Sequence, residues 1–211
     1  DDVSLDIHRG ETLGVIGGNG SGKSTLLRVL AGIFPPDRGR IESRCERIML
    51  LSLSLGFDGE LTGRDNALLS GVLLGGRRRF VESKLEEIIA FAELEEQVDD
   101  PLKTYSSGMR ARLGFSVALM MQADLMLIDE VLGVGDGSFQ KKARDAMLAR
   151  VNSEQTVVYV SHAMNTVTEI CQRTLWLDHG HVMALGPTDE VIAAYERTVS
   201  EAPKARPQLI A

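Results

Sequence analysis

The stretch GGNGSGKST, Gly17 to Thr25, sets Gly17 four residues ahead of Gly22, Lys23 and Ser24. That spacing suits a polyphosphate. Glycines let the backbone aim several N–H groups at one point. A helix opening after them adds the positive end of its dipole. Gly17, Gly18, Asn19, Gly20, Ser21 and Gly22 form the cradle on this reading, and Thr25 follows on the first helical turn. Lys23 places a point charge between β- and γ-phosphates. Ser24 offers a hydroxyl to Mg2+, which also takes phosphate oxygens and water. The competing reading is a plain glycine-rich turn. A strand before the loop and a helix after it count against that, because the motif requires both.

A second group of reactive side chains lies further along. ADLMLIDE is an apolar run that ends in Asp129 and Glu130. In a parallel sheet the strand C-termini face the ligand crevice. Asp129 is placed to hold Mg2+ through water. Glu130 is placed as general base for water attacking a γ-phosphate. His162 closes the next buried strand, TVVYVSH, where a histidine alone is usually structural. Beside a phosphate site it can reach the γ-phosphate and help fix the attacking water. His179 and His181 in DHGHV invite a metal reading, but two histidines make a poor site and the stretch reads as a hairpin turn.

YSSGM, Tyr105 to Met109, precedes an apolar helix that runs to Met121. Ser106, Ser107 and Gly108 would direct a hydroxyl, N–H groups and a dipole one way. An ordinary serine N-cap explains the residues too. However, Lys23 already serves the phosphate site, and the intervening segment carries Ser106 away from it. A second anion cradle makes sense if two chains pair head-to-tail, each supplying its Ser106–Gly108 helix end to the other's ATP.

These groups need a scaffold. Strand and helix patterns alternate at both ends of the 211-residue chain, with helical periodicity between. The expectation is an α/β fold, a parallel sheet core with a helical insert and a small antiparallel β portion. The core spans 1–58 and 123–200, the helical subdomain 59–122, and a loose tail 201–211. Val3, Leu5 and Ile7 alternate as on a strand, so the chain is expected to open inside one. RIES and RIMLLS are expected as short strands, and Thr188 as the N-cap of the last helix. Hydrophobic residues at 44% and charged residues at 25% are ordinary for a soluble globular protein. The net charge of −7 argues against nucleic-acid binding as the main task. Cys45 and Cys171, far apart, read as buried thiols and not as a disulfide framework. No apolar run approaches the roughly 18 to 20 residues that cross a bilayer. No signal segment opens the chain. The basic run GGRRRF, Gly75 to Phe80, reads as a solvated loop or as a contact for a permease or an anionic headgroup.

GGNGSGKST, YSSGM, LMLIDE, VLGVGD and the Ser-His pair occur in the order and spacing of the ATP-binding subunits of ABC transporters, which the whole chain resembles. They look like the Walker A, signature, Walker B, D-loop and switch-histidine elements. The resemblance implies a P-loop NTPase fold with a RecA-like core, ATP and Mg2+ as ligands, and Asp136 of the D-loop at the nucleotide site. LGFDGELTGRDN, YSSGMRARLGFSVA and VLGVGDGSFQKKA are similar to the branch that exports bacterial cell-surface polysaccharides, O-antigen and teichoic acid among them. For that branch the resemblance implies an ATP hydrolase on the cytoplasmic face of the cell membrane. Its partners are an integral membrane permease and, indirectly, a lipid-linked polysaccharide. Two departures stand out. The signature reads Tyr-Ser-Ser-Gly-Met where Leu-Ser-Gly-Gly-Gln is usual, keeping Ser106 and Gly108. The glutamine of the loop before the insert is absent; the position falls near Leu53, with Ser52 and Ser54 beside it. The adenine-stacking aromatic of such proteins is expected upstream of Asp2. A ribosome- or DNA-acting relative would carry two ATPase units or a coiled coil. A GTPase would carry Asn-Lys-x-Asp. The chain has neither.

Glu130→Gln is expected to leave ATP binding intact, lower turnover by roughly a hundredfold or more as a lost general base does, and trap an ATP-bound dimer. Steady-state turnover and light scattering check this, and unchanged turnover would falsify the general-base role. Ser106→Arg is expected to block the dimer while each chain still binds ATP. Loss of nucleotide binding itself would assign Ser106 to its own chain's site.

Overall fold

The computed structural model describes residues 3–51, 54–129, 137–151 and 155–201. Glu130, Asp136, Ser52 and Leu53 therefore lie outside the described residues. Thr12–Ile16 forms β1, Lys23–Leu30 α1, Ile48–Leu50 β2, Gly63–Leu73 α2, Arg78–Ala92 α3 and Ser107–Met120 α4. Then follow β3 (Leu125–Asp129), α5 (Gly137–Val151), β4 (Thr156–Val160), α6 (Met164–Ile170), β5 (Arg173–Asp178), β6 (His181–Pro187) and α7 (Thr188–Glu201). The six strands form one sheet in the order β2-β3-β4-β1-β5-β6. All neighbours run parallel except the β5–β6 hairpin. This is the expected α/β class: a mostly parallel sheet with helices and a small antiparallel portion.

The central strands are apolar throughout because both their faces are covered. Leu13, Val15, Leu125, Leu127, Val158 and Val160 point to one face, with Leu27 of α1. Ile16, Met126, Ile128, Val157 and Tyr159 point to the other, where α4 and α5 bring Phe115 and Phe139. Gly14 of β1 faces α6. A Cβ there would lie 2.9 Å from both Thr174 Oγ1 and Val167 Cγ1, and 3.1 Å from Cys171 Sγ. Cys171 is buried, and burial pushes its thiol up to about 12, so it stays protonated. Cys45 is half-buried and, like Cys171, forms no disulfide.

Between β2 and β3 the described chain is helical. Val81, Ile88, Ile89 and Ala92 give α3 a fully buried stripe at the expected spacing. Thr62 caps α2 by accepting from Asp65 N, while its hydroxyl donates to the Asp65 carboxylate at 2.7 Å. Buried Asn66 ties the preceding loop down. Its side-chain amide donates to the Asp58, Leu61 and Thr62 carbonyls, and its Oδ1 accepts from Asp58 N. Among the described residues no helix is long and apolar enough to cross a membrane.

Four expectations need correction. Residues 3–8 are not a strand, although Leu5 and Ile7 do pack on the sheet; both edges of β1 are taken by β4 and β5. RIES is not a strand either. Ile41 is 45% exposed, so its segment has no apolar face to pair over. Thr188 opens α7, but its hydroxyl donates to Cys171 O at 2.8 Å and meets Thr174 Oγ1 at 2.9 Å. The helix start is thereby tied to β5. The basic run is not a loop throughout. Arg77 occupies the N-cap position of α3 without a side-chain cap, and Arg78 on its first turn pairs with Glu82 at 2.7 Å.

Gly14→Ala is expected to cost about 1–3 kcal/mol, since three side chains must give way in a filled core. A urea midpoint equal to that of the unchanged chain would contradict the packing described for β1 against α6.

Candidate nucleotide site

β1 ends at Ile16 and the chain turns at once into the glycine loop. Gly17 has φ of 148°, and a Cβ there would sit 2.1 Å from Leu177 O of β5. Only glycine fits so close to that backbone. Gly22, with φ of 104°, is the left-handed N-cap of α1. Between them the loop closes on itself, Ser21 N donating to Gly18 O at 3.3 Å. The β5–β6 turn braces it from outside, Gly180 N donating to Ser21 O at 2.9 Å. The sequence signal for that brace is DHG, whose His179 and Gly180 both take positive φ. Composition alone did not connect it to the glycine loop.

Lys23 is buried and its ammonium arches back over the loop, donating to Gly17 O at 2.9 Å and Gly18 O at 2.8 Å. Ser21 is also buried, and its hydroxyl has no hydrogen-bond partner in the loop. Ser24 and Thr25 are exposed on the first turn of α1. A cleft of about 270 Å³ opens there, lined by Asn19, Gly20, Gly22, Lys23, Ser24, Thr25, Asp129 and His162. Three segments distant in sequence thus meet in one place. Gly17, Gly18 and Ser21 do not line it; Gly17 and Ser21 are buried and Gly18 is exposed.

Ser106 and Gly108 are elsewhere, at the start of α4, and neither lines this cleft. Ser106 is exposed and caps α4, its Oγ accepting from Met109 N at 3.1 Å. A Cβ on Gly108 would meet nothing nearer than Ser106 Oγ at 3.8 Å, so the helix end is open to approach. The preceding Tyr105 anchors it. Tyr105 is 3% exposed, and its hydroxyl donates to Gln97 O at 2.7 Å. Burial, then the nearby Asp100 and Asp99, raise its pKa. A Cβ on Gly63 would lie 2.1 Å from the Tyr105 hydroxyl oxygen, so Gly63 makes room for the anchor. The unusual tyrosine in YSSGM was visible in the sequence; its partner Gly63 was not. His179 is 88% exposed, and among the described residues no three His, Cys, Asp or Glu side chains gather as a metal site.

Known proteins bear on this geometry. Residues 1–133 match the ABC transporter family. The teichoic acids export ATP-binding protein TagH of Enterococcus faecalis is 42% identical over 193 residues, 92% of this chain and 43% of that one. The O-antigen export system ATP-binding protein RfbB of Myxococcus xanthus is 42% identical over 198 residues, 94% of this chain and 45% of that one. RfbB of Klebsiella pneumoniae is 40% identical over 200 residues, 95% of this chain and 81% of that one. The chain therefore spans less than half the length of the first two relatives. The fold is shared with a solved ATP-binding subunit of an ABC transporter, TM-score 0.76 and 24% identity, covering 93% of this chain and 86% of that one. It is shared also with the ATP-binding cassette MJ0796, solved as a dimer after hydrolysis with ADP and phosphate. There the TM-score is 0.70 at 23% identity, with 89% of each chain covered. The glycine loop, the acid that ends β3 and the histidine that follows β4 share one cleft, and the family match and the relatives agree with it: the chain belongs to the ABC transporter family.

Proposed function

We propose that the chain binds and hydrolyses ATP as the energy-supplying subunit of an exporter of lipid-linked cell-surface polysaccharide. The observation that carries the ATPase part is the single cleft shared by Lys23, Ser24, Asp129 and His162. Lys23 and the loop N–H groups hold the β- and γ-phosphates, and the phosphate oxygens take over the ammonium donors now shared with Gly17 and Gly18. Asn19, Gly20 and Thr25 wall the phosphate path. His162 orients the γ-phosphate, and Glu130, which directly follows Asp129, takes the proton from the attacking water. Asp136 lies six residues beyond Glu130 and belongs to the same nucleotide site.

The donor set suits Mg2+. The Ser24 hydroxyl and the Asp129 carboxylate are hard oxygen ligands in one cleft, too few for an all-protein cage. An ion that keeps waters and takes phosphate oxygens matches that count. When bound, Mg2+ neutralises charge on the phosphates.

Ser106 and Gly108 lie outside the lining of the chain's own cleft, which supports a head-to-tail dimer closed by two ATP molecules. The division into a core of 1–58 and 123–200, a helical subdomain of 59–122 and a tail of 201–211 belongs to the same reading. The helical subdomain moves with ATP, and a membrane permease follows the motion. The cargo rests on the relatives, whose names specify teichoic acids and O-antigen export, and the place at the cytoplasmic face of the cell membrane follows from the family resemblance.

The test is affinity purification of tagged Glu130→Gln chain from native membranes with ATP. The expected companions are a protein of several membrane spans and a lipid-linked glycan. Ribosomes, DNA or soluble partners alone would overturn the export reading and leave the ATPase to be judged on its own turnover.

A further inference from the structure

Three helices, α3, α4 and α5, meet around one carboxylate side chain. Glu93 ends α3 with φ of 56°, in the left-handed region. Helices ordinarily place glycine there, because a Cβ crowds its own backbone. The carboxylate is engaged on two sides. Oε1 accepts from Lys142 Nζ of α5 at 2.8 Å, and Oε2 accepts from Arg112 of α4 at 3.4 Å. Lys142 also donates to Phe91 O at 2.9 Å and lies 4.7 Å from the centre of the Phe91 ring. Arg112 stands 5.7 Å from the centre of the Phe139 ring of α5. Beneath these charges, Phe91, Phe115 and Phe139 come one each from α3, α4 and α5. Their ring centres are 6.3, 5.9 and 6.1 Å apart. At the far end of α4, Arg150 of α5 donates to the Leu119 and Met121 carbonyls. From Arg112 to its C-terminal end, α4 is therefore held to α5.

α5 is the first described element after β3, and Glu130 and Asp136 lie between the two in the sequence. We propose that the Glu93 carboxylate, bridging Arg112 of α4 and Lys142 of α5, is a positioning group. It couples the Ser106 end of α4 to the start of α5. This rests on the ATPase reading given above. A stabilising role alone does not account for the arrangement. Glu93 and Lys142 are 49% and 36% exposed, and ion pairs that open to water contribute little to stability. Glycine at position 93 would remove the backbone strain at no cost in helix capping. The chain instead holds a strained residue whose carboxylate spans two helices, the pattern of strain retained for a task.

Glu93→Gly separates the two roles, because it removes the carboxylate and the strain together. The Lys142–Phe91 and Arg112–Glu93 carbonyl contacts can persist in it. The expected result is a Tm equal to or above that of the unchanged chain. KM for ATP should stay within about twofold while kcat falls roughly threefold to thirtyfold, the range of a local coupling energy. Lys142→Met should lower kcat similarly, and the double variant should be no worse than either single one, as for two groups in one contact. A kcat unchanged in Glu93→Gly, or a fall that tracks a lower Tm, overturns the proposal. Hydrogen exchange supplies a readout that needs no turnover. Amides at the start of α5, 137–143, should exchange several-fold faster in Glu93→Gly while those of β1 stay unchanged. Equal exchange at α5 overturns the coupling even if the unchanged chain shows no hydrolysis, whereas absent hydrolysis by itself counts against the ATPase reading.

Discussion

Val15, Val160 and Asp129 lie in one row of the sheet. β1 pairs with β4 through Val15 and Val160, and β4 pairs with β3 through Val160 and Asp129. The chain leaves the sheet just past that row into the glycine loop after Ile16 and toward His162 after Val160, and Asp129 is the last described residue of β3. The cleft is the consequence. Nothing local forces the row. It is fixed by alternation, since a slip of one residue would turn Leu13, Val15, Leu125, Leu127, Val158 and Val160 away from the face they share with Leu27. The site's geometry is thus a by-product of burying two apolar faces at once.

The helices between β2 and β3 answer to a different constraint. They carry Ser106 on the end of α4, outside the cleft of their own chain. Their position is set by the buried stripe of α3, by Tyr105 seated over Gly63, and by the aromatic contacts that bring α5 into the same unit. The sheet holds one cradle at a fixed place. The helical layer holds the other outside that cleft, where the proposed head-to-tail dimer would bring the ATP of a second chain.

Much of this was legible in the residues because it depends on local spacing. Gly17 to Gly22 read as a loop, in which Gly17, Gly20 and Gly22 take positive φ, and the apolar run of ADLMLIDE reads as a strand covered on both faces, as β3 is. Residues 3–8 and 40–43 misled for the same reason. Alternation shows which faces could be buried but not whether a neighbouring strand exists, and the edges of β1 were already filled. Thr188 reads as a cap by type, yet its hydroxyl is taken by Cys171 and Thr174, partners that only the fold brings near. The Gly63–Tyr105 fit and the Glu93 bridge join residues far apart in the chain, so no local pattern announces them. The proposed roles of Glu130 and Asp136, and the place of the missing glutamine near Leu53, are drawn from spacing and resemblance, since these positions lie outside the described residues.

The central claim is that one row of the sheet and the α4 end of a second chain act on the same γ-phosphate. The most direct measurement is a crystal structure of Glu130→Gln with ATP and Mg2+. The account expects two chains related head-to-tail. In each site the γ-phosphate should touch Lys23 and His162 of one chain and Ser106 of the other, with Ser24 on the metal. A γ-phosphate enclosed by residues of a single chain, with Ser106 facing solvent, would contradict it.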